Sequence, residues 1–452
     1  MNSKLSLPIL LALCGLFGTA IANQPLSSNA LDAAEDRLIA ITTDPRFLLV
    51  MHPPAPVIMN HGGHQPNLFC SSRGTLYCQG QLDFENFHNK GVDAPYIGSA
   101  ISRDGGATWT RWTRLDHREY VSMEGGMVEC ADGTILLFDN SVIPGAKPDH
   151  GVGELWKSHD DLHTMEGPFY VDFNLPHVIW NGSSDDGGNV HRAANLHRSI
   201  IEMPNRDLLT TMYGWFVDDA APSPYMPSMK KMRTVLIRST DHAATWSYLS
   251  TVALDGAVGT EGFNEPVLVR ITKGSHSGRL LCLMRTGREL YGAHSDDDGL
   301  TWNHAVPVKF PGIDIYQTDK WADLFVDRHA PGYVPSDKLY GSEVDPELIE
   351  MKNGTLVCGV GVRIPERLCF KNWRAPQNGD YLAFSCDGGD TWSQVVQFRS
   401  GKPTTHYMGV REVEPGVLYV VYDDSIWTKP APRGTMGFRL DVRRTDLAPA
   451  ER

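Results

Sequence analysis

Six segments of the chain repeat an apolar run, a polar turn and a second apolar run. The turns fall at Gly74, Gly133, Arg206, Gly278, Gly354 and Gly416, with arginine replacing glycine in the third. Aligning the segments on these turns puts Gln65, Glu124, His197, Glu265, Asp345 and Tyr407 at one shared slot near the strand entrances. Carboxylates, a histidine and a tyrosine can exchange protons and supply a nucleophile. A ring of such residues beside apolar strands is what the mouth of a functional channel would show. Further basic residues gather near the same entrances: His61, His64, His191, Arg192 and Arg198.

The elements that must position this ring carry a second repeat, the octet Ser-x-Asp-x-Gly-x-Thr-Trp, interleaved with the first. It occurs at 102–109, at 239–246 with Ala243 for the glycine, at 295–302 and at 385–392, and in decayed form from Ser158 to Met165. The octet reads as a hairpin turn in which the Asp accepts hydrogen bonds from following amides and the Trp packs between sheets. Its Asp residues are therefore structural. Each unit supplies about four short strands and cannot bury both faces alone, so the units must stack radially. Six copies imply an all-β, six-bladed β-propeller. The last copy is followed by one strand-like run, Met436 to Val442, and no octet, so residues 46–51 are expected to complete that blade and join the two ends of the chain.

Composition bounds the rest. The net charge of −13 argues against nucleic acid as a partner, because phosphates need a basic face. Residues 1–22, with Lys4, an apolar run from Leu5 to Gly18 and Ala20-Ile21-Ala22, read as a cleaved secretory signal. The mature chain, 23–452, reads as one exported propeller domain, secreted or periplasmic, with no transmembrane segment. Of the 8 cysteines, Cys14 leaves with the signal, so at least one of the rest stays unpaired. Cys70 and Cys78 flank a turn, where either a disulfide or two small buried apolar side chains would fit. No ligand cluster compels a metal or other cofactor.

Four near-perfect octets in register across six units resemble the Asp-box propellers of the sialidase (neuraminidase) superfamily, over nearly the whole mature chain. The resemblance implies an exo-acting, retaining glycoside hydrolase that releases a terminal acidic sugar such as sialic acid. It implies a Glu at the shared slot of the fourth blade and a Tyr at that of the sixth, met by Asn264-Glu265-Pro266 and His406-Tyr407-Met408. A sialic acid carries a carboxylate on its anomeric carbon, which would repel a carboxylate nucleophile. A neutral tyrosine, deprotonated by its neighbouring Glu, avoids that clash. The resemblance assigns the acid to a loop before the first octet, where Asp93 matches best and Asp83 stands in reserve. It also implies arginines that fork the substrate carboxylate. Arg285 holds the second position; Arg374, Arg367 and Arg363 compete for the third, with Arg374 favoured for leading into a strand.

The first arginine is absent. Where the family has Arg-Ile-Pro, this chain reads His64-Gln65-Pro66. An imidazole is charged only below about pH 6.5 and cannot form a bidentate fork. His64 with His197 and Glu124 would then belong to a reorganised substrate pocket. Two other functions compete. One is a uronic-acid glycosidase or polysaccharide lyase built on His64, His197 and Tyr407, and the other is a non-catalytic carbohydrate-binding propeller.

Overall fold

The computed structural model describes residues 37–59, 64–81, 98–111, 125–176, 182–183, 190–191, 194–224, 229–316, 340–366, 375–400, 404–424 and 434–448. Among the described residues, apart from one short 3-10 turn at Gly274–His276, the named elements are β-strands, in a propeller-like arrangement. No helix among the described residues is long and apolar enough to cross a membrane.

Each repeat in the sequence folds as an antiparallel four-strand unit or joins one. The first is His64–Cys70, Leu76–Gln81, Gly98–Ser102 and Thr110–Arg111, and the fourth is Asn264–Arg270, Leu280–Arg285, Tyr291–Ser295 and Val306–Pro307. The fifth, from Ser342–Glu350 to Gln394–Ser400, takes Ile39–Thr42 as an extra outer strand. The sixth is closed as expected, by Phe47–Met51 pairing antiparallel with Gly434–Arg444 from Phe47↔Arg444 to Met51↔Leu440. The amino-terminal part of the domain thus completes the carboxy-terminal sheet.

Six separate sheets do not result. The second unit (Met127–Glu129, Ile135–Phe138, His150–Ser158, Glu166–Asn174) and the third (Ala194–Glu202 to Thr245–Ala253) share one nine-stranded sheet. Asp172–Asn174 pair in parallel with Thr245–Ser247 at the outer edges, and Met127 pairs with Ser199 at the inner edges. Eight of the strands therefore close into a ring, leaving four separate blade sheets beside it. The cause is that blade edges carry unpaired N–H and C=O groups, which pair wherever two edges meet side by side. The strand Ser141–Pro144, pairing with both units, adds to the join.

Hydrophobic clusters lie between consecutive units. Phe69 and Tyr77 meet Leu137 and Trp156, Phe138 and Phe173 meet Trp246, and Leu236 meets Leu280. Leu283 meets Val360, Leu382 meets Val420, and Val421 meets Leu68, which returns to the first unit. A strand covered on both sides must be apolar throughout, and Leu356–Arg363 is buried at every position. The octets fasten these seams. Trp109 Nε1 donates to Tyr419 Oη at 3.0 Å, Trp302 Nε1 donates to Ser250 Oγ at 3.0 Å, and Trp246 stacks on Phe173. In each case the Trp reaches the preceding unit. The decayed octet is intact in geometry: Thr164 N donates to Asp160 Oδ1 at 2.8 Å, and Met165 packs at the first seam in place of a Trp.

Cys70 and Cys78 are both free thiols. They do not face each other, because Cys70 pairs with Leu76 and Cys78 with Leu68. A pair offset by two positions across a hairpin shares a face but lies about 7–8 Å apart, too far for the bridge.

Candidate active site

The shared slot is a row of β-bulges. Pairing skips from His64 to Asn67, from Leu196 to Ile200, from Asn264 to Val267 and from Val344 to Glu347. Gln65, Arg198, Glu265 and Asp345 take positive φ at these breaks. A bulge re-aims the side chain it carries, so the inner strands turn polar residues towards one another at this end while their apolar stretches pack below.

Glu265 and Tyr407, 142 residues apart in sequence, meet there. The Tyr407 hydroxyl donates a hydrogen bond to Glu265 Oε1. Arg285, the last residue of its strand, donates through Nη1 to Glu265 Oε1 at 2.8 Å and to Tyr407 Oη at 3.2 Å. Its Nη2 donates to Glu261 Oε1 at 3.0 Å. All four side chains are buried. Burial alone would push the Glu265 carboxyl up, but Arg285 and the Tyr407 hydrogen bond outweigh it and hold the group at about 2. It is a carboxylate at any working pH.

Tyr407 is held from behind. Asp423 accepts from Thr404 Oγ1, Thr405 Oγ1, Thr405 N at 2.9 Å and Gln65 N at 3.2 Å, which pins the segment before the tyrosine to the first unit. His406, at φ +67°, sets Nδ1 3.2 Å from Asp380 Oδ1. Met408 N donates to Asp345 Oδ2 at 3.1 Å. The guanidinium carbons of Arg363 and Arg198 lie 5.6 and 5.8 Å from the centre of the Tyr407 ring.

His197 enters the site as a buried strut. Its Nδ1 lies 3.1 Å from Pro266 O and its Nε2 lies 3.7 Å from Asp345 Oδ1. Burial first, then the neighbouring Arg198, depress it to about 3, so the ring is neutral. Arg198 lies buried beside it, bonded to Asp345 Oδ1 at 3.0 Å and Glu347 Oε2 at 3.3 Å.

Of the expected site residues, Glu265, Tyr407, Arg285, Arg363 and His197 come together. Arg363 Nη2 also donates to Thr405 O at 2.9 Å, which puts it beside Tyr407; the favoured Arg374 is not among the described residues. Asp93, Glu124, Arg367 and Arg374, with Asp83, His61 and Arg192, lie outside the described residues. His64 opens the strand His64–Cys70 and pairs with Gln81; its side chain lies outside them too.

Sequence reasoning missed Glu261 and Glu366. Two glycines bracket Glu261, a sign of a tight loop that was there to read. Glu366 follows Arg363-Ile364-Pro365, a segment read only for its arginine. Its Oε2 accepts from Arg288 Nη1 at 3.2 Å. Burial, and then Glu261, push its carboxyl to about 7 against the pull of Arg285, Arg288 and Arg363.

No family model and no curated protein matches the chain. Among solved structures, it is similar to a protein of unknown function from Dyadobacter fermentans, at 18% identity and a TM-score of 0.60, over 88% of this chain and 100% of that one. It is also similar to an α-L-arabinofuranosidase of Fusarium graminearum solved with arabinobiose, at 13% identity and a TM-score of 0.52, over 86% and 97%. A Trypanosoma rangeli sialidase aligns at 14% identity and a TM-score of 0.47, over 84% of this chain and 55% of that one. The likeness is one of fold. Among the neighbours with this fold is a glycosidase, the α-L-arabinofuranosidase.

Proposed function

We propose that the chain is an exo-acting retaining glycoside hydrolase of sialidase type, with Tyr407 as nucleophile and Glu265 as its base. The observation that carries this reading is the hydrogen bond from the Tyr407 hydroxyl to Glu265 Oε1, with Arg285 on both groups. As the tyrosine attacks the anomeric carbon, its proton passes to Glu265. The nearby guanidinium stabilises the charge that develops on the phenolic oxygen. The leaving oxygen takes a proton from an acid, for which Asp93 is the candidate. Water then releases the sugar with its configuration retained. Arg285 and Arg363 face an acidic substrate, while His64 stands where the family has an arginine.

Around this site we read the closed eight-strand ring as two blades zipped at both edges, giving six in all. The chain from 23 to 452 would be one domain, exported after loss of residues 1–22 and acting on sialoglycans or other acidic glycans. Against the rival built on His64, His197 and Tyr407 stand the neutrality and burial of the His197 ring. Product analysis decides between them. The proposal requires α-sialic acid as the first product from an aryl α-sialoside, seen by proton NMR, and the rival requires an unsaturated uronate.

A further inference from the structure

Glu261 lies four residues before Glu265 and is fully buried. Its two oxygens are committed to the flanks of the catalytic bulge. Oε1 accepts from Arg285 Nη2 at 3.0 Å and Oε2 accepts from Asn264 Nδ2 at 2.9 Å. Asn264 and Arg285 are cross-strand partners, and the next pair in register is Val267 with Leu283. Glu265 sits in the gap between these pairs, at φ +38°. One carboxylate therefore ties together the two residues at the open end of the bulge.

The backbone holding Glu261 is built to the same purpose. Thr260 N and Glu261 N both donate to Thr286 O, at 2.9 and 3.0 Å, and Met232 N donates to Glu261 O at 2.8 Å. A Cβ on Gly259 would lie 2.1 Å from Thr286 O, and one on Gly287 would lie 2.1 Å from Thr260 Oγ1. Both glycines take positive φ. The loop carrying Glu261 and the turn after Arg285 thus touch more closely than any other residue type would allow.

Arg285 therefore serves two carboxylates, and the division has two consequences. It fixes the guanidinium so that Nη1 faces both Glu265 and Tyr407. It also shares one positive charge between two anions, which weakens the hold of Arg285 on Glu265 and leaves Glu265 the stronger acceptor for the Tyr407 proton.

We propose that Glu261 is a positioning residue for the Tyr407–Glu265 pair, acting through Arg285 and Asn264. The inference rests on the nucleophile reading above, and the test keeps the two apart. Glu261→Gln keeps the volume but cannot accept from both donors. On 4-methylumbelliferyl α-N-acetylneuraminide its kcat should fall roughly 100-fold with KM little changed, the size expected of a misplaced reacting group. The loss should be similar on a sialoside with a poor leaving group, since the defect lies in the nucleophile. Glu261→Asp, which keeps the charge, should recover part of the rate.

A second readout needs neither substrate nor activity. With Glu261 neutral, the unshared charge of Arg285 should make tyrosine ionisation in the folded protein begin at lower pH, seen by ultraviolet difference absorbance. That difference should vanish in a Tyr407→Phe background. A Glu261→Gln protein with wild-type kcat and an unshifted tyrosine titration would overturn the proposal, as would a fall in melting temperature with kcat of the folded fraction intact. Were Tyr407→Phe itself active, the nucleophile reading would fail instead.

Discussion

Tyrosine is a weak nucleophile until its proton has somewhere to go, and in this protein the acceptor is already hydrogen-bonded to it. Because Glu265 is held at about 2, it does not set an acid limb of activity in the ordinary range; the acid catalyst, which must be protonated to act, sets the alkaline limb. Tyr407→Phe and Glu265→Gln should each lower kcat by about 10²–10⁴ with smaller changes in KM, measured on an aryl α-sialoside. His64 gives a different test. If it replaces the missing arginine, His64→Arg should retain turnover and lower KM, and the wild type should lose affinity as pH rises past about 6.5. An inactive His64→Arg protein that still binds the sugar would make His64 an acid or base instead. Tyr407 and Glu265 were legible because they fall on a fixed position of a repeat, and Arg285 because the family resemblance implies an arginine there. The choice among Arg363, Arg367 and Arg374 was not, since three arginines within twelve residues all precede the fifth unit's octet and no local pattern says which side chain turns to the site.

At the level of elements, the octet is a seam device. The Trp246 side chain is fully buried, stacked on Phe173 and edge-on to Phe138. Trp246→Ala should cost about 3–5 kcal/mol of stability while leaving KM unchanged well below the melting point, checked by denaturant unfolding beside kinetics. An altered KM would mean that the seam reaches the site. The repeat also made the shared slot readable, but not the bulges. Positive φ falls on Gln65, Glu265 and Asp345 at the aligned position, yet on Arg198 and His406 one residue away from it. A bulge can take its extra residue on either side of the slot, and a local pattern does not record which. The zipped second and third units were hidden for a related reason: the pairing of Asp172–Asn174 with Thr245–Ser247 is decided by where two edges come to lie, and not by either edge's own sequence.

Across the whole molecule, buried titratable groups bound the pH range of stability. Burial pushes Glu343, which accepts from Leu290 N at 2.8 Å, up to about 8, and Glu366 to about 7. Their folded pKa values exceed the unfolded ones, so the folded state binds more protons and stability falls as pH rises through 4.5 to 8. His197 and His406, depressed to about 3 by burial, act oppositely: stability is lost as pH drops from 6.5 towards 3. Between about pH 5 and 6.5 the two effects oppose each other, so the melting temperature should be highest there and decline above pH 7. Glu343→Gln should flatten the alkaline decline, and an unchanged decline would show that Glu343 ionises without penalty. Chain closure was legible because the last unit lacked a strand that residues 46–51 supply. The central claim is chemical, and trapping tests it most directly. After incubation with a 2,3-difluorinated sialic acid, peptide mass mapping should place one glycosyl adduct on the peptide containing Tyr407, and none should form in Tyr407→Phe. An adduct on a carboxylate, or turnover of an aryl α-sialoside with no adduct at Tyr407, would contradict the account.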